Sequence, residues 1–223
     1  KSLFMGHVAV SYLLQGLNVL YITLEMAEER IAERIDANLL DVTMEDLHDI
    51  PQSLYDGKIK KLREKTQGQL IIKEYPTASA HSGHFKSLIN ELALKKSFKP
   101  DVIFIDYLNI CASARFKGGN ISSYFYIKAI AEELRGLAVE ANVPIFSATQ
   151  TTRTGFVSTD LGLEDTSESF GLPATADFMF ALMSNEELEK LGQMKVKQLK
   201  NRYNDPSVNR AFIIGVDRSK MRL

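Results

Sequence analysis

Two short segments of this chain are apolar almost throughout and each runs straight into a carboxylate: Val19-Leu-Tyr-Ile-Thr-Leu24 before Glu25, and Val102-Ile-Phe-Ile105 before Asp106. A strand with one wet face alternates apolar and polar residues. A strand that does not alternate is buried on both faces, and such strands belong to parallel sheets covered by helices on each side. The intervening sequence has the required helical periodicity at Leu3–Gln15, stopped by Gly16, and at 27–40, 82–96 and 124–141, with further strands at 69–75 and 144–148. Strands alternating with helices at this spacing predict right-handed βαβ units on a mostly parallel sheet, an α/β fold. Residues 42–66 read as one or two polar helices broken near Pro51 and Gly57. Past Gly171 the pattern changes. Strands are expected at 176–183, 195–202 and 211–216, with turn signals at Ser184-Asn185 and Asn204-Asp205-Pro206, which predicts a partly antiparallel C-terminal extension.

The 223 residues, 45% of them apolar, suffice for one large domain, and no linker or repeat divides them. Lys and Arg number 27 against 28 Asp and Glu, so no global basic field draws in nucleic acid and any such contact must come from local patches. Cys111 stands alone, which rules out an internal disulfide and suits a reducing compartment. No apolar run approaches the roughly 20 residues that span a bilayer and no signal peptide opens the chain; cytoplasmic localisation is the expectation.

Chemistry is expected where buried strands end, since ligands of open α/β sheets bind outside the carboxyl ends of the strands. Asp106 has the form of a Walker B carboxylate, delivered by four apolar residues to the edge where nucleotide and Mg²⁺ bind. Glu25 occupies the matching position on its own strand, suited to polarising an attacking water, and Gln150 follows a third strand, placed to sense a γ-phosphate. Taken singly, Glu25 is also the first polar residue ahead of a helix, and Gln150 an ordinary loop residue. Lys1-Ser2, leading directly into a helix, reads as the end of a phosphate loop of the form G-x-x-x-x-G-K-[ST], the Lys offsetting phosphate charge and the Ser hydroxyl ligating Mg²⁺; an arbitrary boundary before an ordinary helix reads the same way.

Five motifs in order, Thr23-Leu-Glu-Met26, Ile105-Asp-Tyr-Leu108, Ala148-Thr-Gln150, the segment from Glu168 to Asp177 and Lys200-Asn-Arg202, resemble those of DnaB-type hexameric replicative helicases, in particular those of T4-like bacteriophages. The resemblance covers the whole chain. It implies a RecA-like P-loop NTPase core that binds ATP or another NTP with Mg²⁺ between subunits and moves 5′ to 3′ along single-stranded DNA as a homo-hexameric ring, with primase and a helicase loader as partners. Carried over by position, Lys1 and Ser2 resemble the end of the Walker A loop, Glu25 the catalytic base, Asp106 the Mg²⁺ carboxylate and Gln150 the γ-phosphate sensor. Lys200 and Arg202 resemble the basic pair that enters the neighbouring subunit's site; without the family they read as solvated charge on an edge strand. The loops 112–123 and 151–163 fall where the family contacts DNA, and Arg115, Lys117 and Arg153 are the candidate phosphate partners there, against the alternative of solvated loops.

The family pattern also implies missing parts. A glycine-rich loop, the strand before it and an N-terminal domain would precede Lys1, so the chain reads as the fragment 1–223 of a helicase ATPase domain with an open slot in its sheet. His81 and His84, three apart, lack a third metal ligand and are expected at an exposed helix start. Cys111 is expected as a buried apolar residue rather than a nucleophile. Two other functions fit parts of the pattern: a RecA-like strand-exchange ATPase forming filaments, and a non-catalytic nucleotide- or DNA-binding adaptor that kept the fold.

Overall fold

The computed structural model describes residues 1–116, 121–151, 161–165 and 171–223. Four parallel strands, β1 (Val19–Thr23), β2 (Leu70–Glu74), β3 (Val102–Asp106) and β4 (Ile145–Ser147), form a sheet of order β2-β1-β3-β4. Every residue of β1 and β3 is buried, as the absence of alternation requires. Register aligns the carboxyl ends: Thr23 pairs with Asp106, and Ile105 with Ser147.

The strand pleat sorts side chains into two cores. Val19, Tyr21, Val102 and Phe104 face α1 (Ser2–Leu14) and α2 (Glu28–Leu40), meeting Met5, Ala9, Val10, Leu13, Ile31 and Ile35. Leu20, Ile22, Ile103 and Ile105 face the other way, onto α5 (Ser82–Lys96) and α6 (Ser123–Ala141). The first core is bound across strands by aromatic contacts: Phe104 stacks between Tyr21 and Phe146, with ring centroids 5.8 and 5.2 Å away, while Tyr12 of α1 meets Phe104 and Phe146 edge-on. Cys111 is buried in the second core.

Two glycines are needed by geometry. Gly16 ends α1 at φ +84°, and a Cβ on Gly68 would stand 2.7 Å from the carbonyl oxygens of Leu13 and Leu17. Between α2 and β2 lie α3 (Met44–Asp49) and α4 (Gln52–Lys65). Pro51 breaks them as expected, but Gly57 sits inside α4, because a single glycine costs a solvated helix only about 1 kcal/mol against alanine.

The C-terminal strands β5 (Phe178–Met183), β6 (Gln193–Asn201) and β7 (Ala211–Gly215) form an antiparallel sheet of their own, order β5-β6-β7, entered through the short α7 (Gly171–Thr175), which packs on α6. Ser184-Asn185 opens a short helix, α8 (Glu186–Lys190), rather than a bare turn: the Asn185 side chain accepts a hydrogen bond from the Leu188 N–H. Among the described residues β4 pairs only with β3, and β5 only with β6. Both free edges lie between the same layers: Ile145 and Met179 pack in the α5/α6 core, whereas Phe146 meets Tyr12 and Phe180 meets Phe4 of α1. Among the described residues no helix is long and apolar enough to cross a membrane.

The chain's last residues strap α1 to α2. Arg222 and Lys220 ion-pair with Asp41, and the Asn38 side-chain amide donates to the Met221 carbonyl. His7 Nδ1 lies 3.0 Å from Asn38 Nδ2 and 3.4 Å from the Leu223 N–H, so it serves as an acceptor and must be unprotonated. Burial, aided by the charge of Arg222, holds the His7 pKa below its ordinary value. A histidine with a depressed folded pKa stabilises the fold above its unfolded pKa, and that contribution is lost as the pH falls below it. The unfolding midpoint of the chain is therefore expected to drop as the pH falls below about 6.5, the ordinary histidine value, and His7→Ala to flatten that part of the profile; thermal unfolding followed by circular dichroism on either side of that pH measures both.

Candidate active site

The parallel register brings three expected residues to one edge. Asp106 is the last residue of β3, Glu25 lies two residues beyond Thr23 on the neighbouring strand, and Gln150 lies three beyond the end of β4. The turn after β1 is closed by Thr23, whose hydroxyl accepts from the Met26 N–H at 3.1 Å and donates to the Met26 carbonyl at 2.8 Å, leaving Glu25 exposed at the rim. Lys1 caps the N-terminus of α1 at this same edge and Ser2 is the helix's first residue. The Lys1 ammonium sits 3.3 Å from the Tyr107 ring centroid, a cation–π contact.

Two residues of this cluster carried no role in the sequence reading. Tyr107 links Lys1 to Gln150, whose side-chain amide donates to the Tyr107 hydroxyl at 3.3 Å. Tyr21, fully buried in β1, donates its hydroxyl to Asp106 Oδ2 at 3.1 Å. A tyrosine inside an otherwise aliphatic buried strand was the available signal, since a buried hydroxyl needs a partner. Burial and the adjacent Asp106 push the Tyr21 pKa far up, so the phenol stays a donor. The bond orients the carboxylate: Oδ2 is satisfied, while Oδ1 is buried with no hydrogen-bond partner among the described residues. A carboxylate held by one oxygen with the other presented at a strand end fits a divalent cation, which prefers oxygen ligands.

Lys200 and Arg202 occupy a separate place, at the end of β6. Lys200 Nζ donates to the carbonyls of Pro173 and Ala174 at 2.6 and 3.2 Å, and Arg202 reaches Ala174 and Asp177. Arg115 lies at the start of the loop after β3 and ion-pairs with Glu132 of α6 at 2.5 Å. Beside it, Glu133 accepts from Ser113 Oγ, Ser82 Oγ and the N–H groups of Ala114 and Arg115. Burial would raise the Glu133 pKa, but these hydrogen bonds outweigh it and hold it low, so an anion anchors the base of the loop. Lys117 and Arg153 lie outside the described residues, as do Gly118, Gly119 and 166–170.

His81 caps α5, its ring accepting from the Gly83 N–H, and the neighbouring His84 ring accepts from the His81 N–H. Burial raises the Cys111 thiol pKa to about 12, which leaves it protonated and inert.

Residues 1–214 match the family model of the DnaB-like helicase C-terminal domain. The chain belongs to the DnaB-like helicase family. It is 48% identical over its whole length to a DnaB-like replicative helicase of Enterobacteria phage T4, covering 47% of that protein, and 34% identical over 60% of its length to a probable plasmid replicative DNA helicase of Chlamydia trachomatis, covering 28% of it. The chain thus spans about half the length of the phage relative, and less of the chlamydial one. Two solved structures share the fold at 18% identity over 99% of the chain: an ATPase domain, with a TM-score of 0.78 and 78% of that chain covered, and a DnaB-like replicative helicase studied in its interactions with primase, with 0.77 and 53%. The RecA-like α/β core, a parallel sheet between helices followed by antiparallel strands, is therefore the fold of this DnaB-like domain.

Removing the Tyr21 hydroxyl leaves the buried Asp106 carboxylate without its protein donor. Tyr21→Phe is expected to destabilise the chain by about 1 to 3 kcal/mol, read from the urea unfolding midpoint at neutral pH. In an Asp106→Asn background the same change should cost less, because the acceptor is no longer charged.

Proposed function

We propose that this domain is the motor of a replicative DNA helicase, coupling NTP hydrolysis to 5′-to-3′ movement on single-stranded DNA within a homo-hexameric ring in the cytoplasm, with primase and a loader as partners. The observation that carries the reading is the convergence of Glu25, Asp106 and Gln150 on the carboxyl ends of three adjacent parallel strands, with Lys1 over Tyr107 at the same edge. A binding module has no need of a water-activating carboxylate beside a cation-binding one.

Each residue's part follows from its placement. Lys1 and Ser2, at the start of α1, would hold the β/γ-phosphates against the helix N-terminus, and Ser2 with Asp106 Oδ1 would hold Mg²⁺. When bound, Mg²⁺ supplies charge that offsets the phosphate oxygens. Glu25, exposed and free to turn toward the edge, takes the proton of the attacking water. Gln150 meets the γ-phosphate and reports its loss to the loop that follows it, as Tyr107 does toward the loop carrying Arg115 and Lys117; Arg153 belongs to the former. Lys200 and Arg202 act on the neighbouring subunit's nucleotide, so that turnover depends on assembly.

The test is NTP turnover with and without single-stranded DNA in the full-length protein. DNA is expected to raise turnover. Glu25→Gln should lower kcat by about 10² to 10⁴-fold and Arg202→Ala by about 10³-fold or more, both with nucleotide binding retained. Turnover indifferent to DNA and to both changes would leave the adaptor, and filaments instead of rings in electron micrographs would indicate the strand-exchange class.

A further inference from the structure

The cations at the end of β6 are not simply displayed. Arg202 is fastened at three points: its backbone N–H donates to the Asp177 carbonyl at 2.8 Å, one terminal guanidinium nitrogen lies 2.9 Å from Asp177 Oδ1, and the other donates to the Ala174 carbonyl at 3.0 Å. Arg135 of α6 ion-pairs with the same Oδ1 at 2.6 Å and donates a hydrogen bond to the Thr175 carbonyl at 3.0 Å. Lys200 is docked on the carbonyls of Pro173 and Ala174, sharing the second with Arg202. Three cations from two elements thus converge on one carboxylate and the last carbonyls of α7. Burial, reinforced by the charge of Arg202, holds the Lys200 pKa down.

This geometry does more than neutralise charge. An isolated ion pair at the surface holds a long side chain weakly. Here the acceptors are fixed to a helix end and to the residue before β5, and Arg135 of α6 holds the same carboxylate oxygen. The guanidinium has five N–H donors; one terminal nitrogen donates to the Ala174 carbonyl, and the other is held beside the Asp177 carboxylate as an ion pair. The remaining donors stay available, Arg202 being 38% exposed. With three cations to one carboxylate, the assembly keeps an excess of positive charge suited to a polyphosphate.

We propose that Asp177 is a positioning residue: it aims Arg202, and through α7 its companion Lys200, at the nucleotide of the adjoining subunit, with Arg135 as the brace. The inference rests on reading Arg202 as the finger that acts in trans. A side chain that stabilises charge only in the transition state is sensitive to sub-ångström placement, and a misplacement of about 1 Å can cost about 10²-fold in rate.

The experiment measures DNA-stimulated turnover of the full-length protein for R202A, D177N, D177E and the double variant D177N/R135A, alongside nucleotide affinity and the thermal unfolding midpoint. D177N is expected to lower kcat by about 10²-fold with KM, nucleotide affinity and midpoint unchanged. D177E keeps the charge but moves the carboxylate by one methylene, and should also be slow; it carries the test if D177N loses stability. Relieving cation repulsion in D177N/R135A should restore nothing. If D177N/R135A or D177E turns over like the native protein, Asp177 only balances charge and the inference falls. It falls as well if R202A is slow while D177N is native, with the finger intact. If R202A itself is native, the reading of Arg202 fails, and the inference with it.

Discussion

A parallel strand buried on both faces has one outlet for polar side chains, its end, and the rest of this structure is arranged around that restriction. β1 and β3 are sealed between α1/α2 and α5/α6, so the carboxyl edge of the sheet is the place where Glu25, Asp106 and Gln150 meet. Register does the remaining work. Because Thr23 pairs with Asp106 and Ile105 with Ser147, three loops start from one line, and residues far apart in sequence become neighbours.

The same burial that concentrates the chemistry also makes its carboxylate costly. Asp106 is fully buried, and Tyr21, one strand over and two residues before the strand end, is the group that offsets the loss of water on one of its oxygens. Tyr21 is at once a core aromatic, stacked on Phe104, and a polar partner, so packing and site geometry are a single structural problem at this point. Charge is handled differently at the periphery. Glu133 and Arg135, two residues apart on α6, hold the base of the loop after β3 and the end of α7, and both do so through backbone groups as well as side chains. One helix therefore sets the position of two segments that the family reading assigns to DNA and to the neighbouring subunit.

Much of the fold was legible in the chain. Lack of alternation in 19–24 and 102–105 announced the buried strands, helical periodicity supplied the crossovers, and the carboxylates at the strand ends marked the edge of the site. Local signals were misread where their energetic weight is small: Gly57 was absorbed into α4, and Asn185 capped a helix where a turn was expected. Tyr107, Tyr21, Asp177 and Arg135 escaped notice as site residues, because what each does depends on a partner supplied by another element.

By itself, the sequence determined the class of fold, the direction of its sheet and the residue types at each strand end, since periodicity and burial are properties of short segments. Tertiary structure alone decided that Tyr21 satisfies Asp106, that Tyr107 joins Lys1 to Gln150, and that Asp177 is shared by two arginines. Such pairings follow from strand register and helix docking, which bring together groups such as Tyr21 and Asp106, 85 positions apart, and which no local pattern encodes.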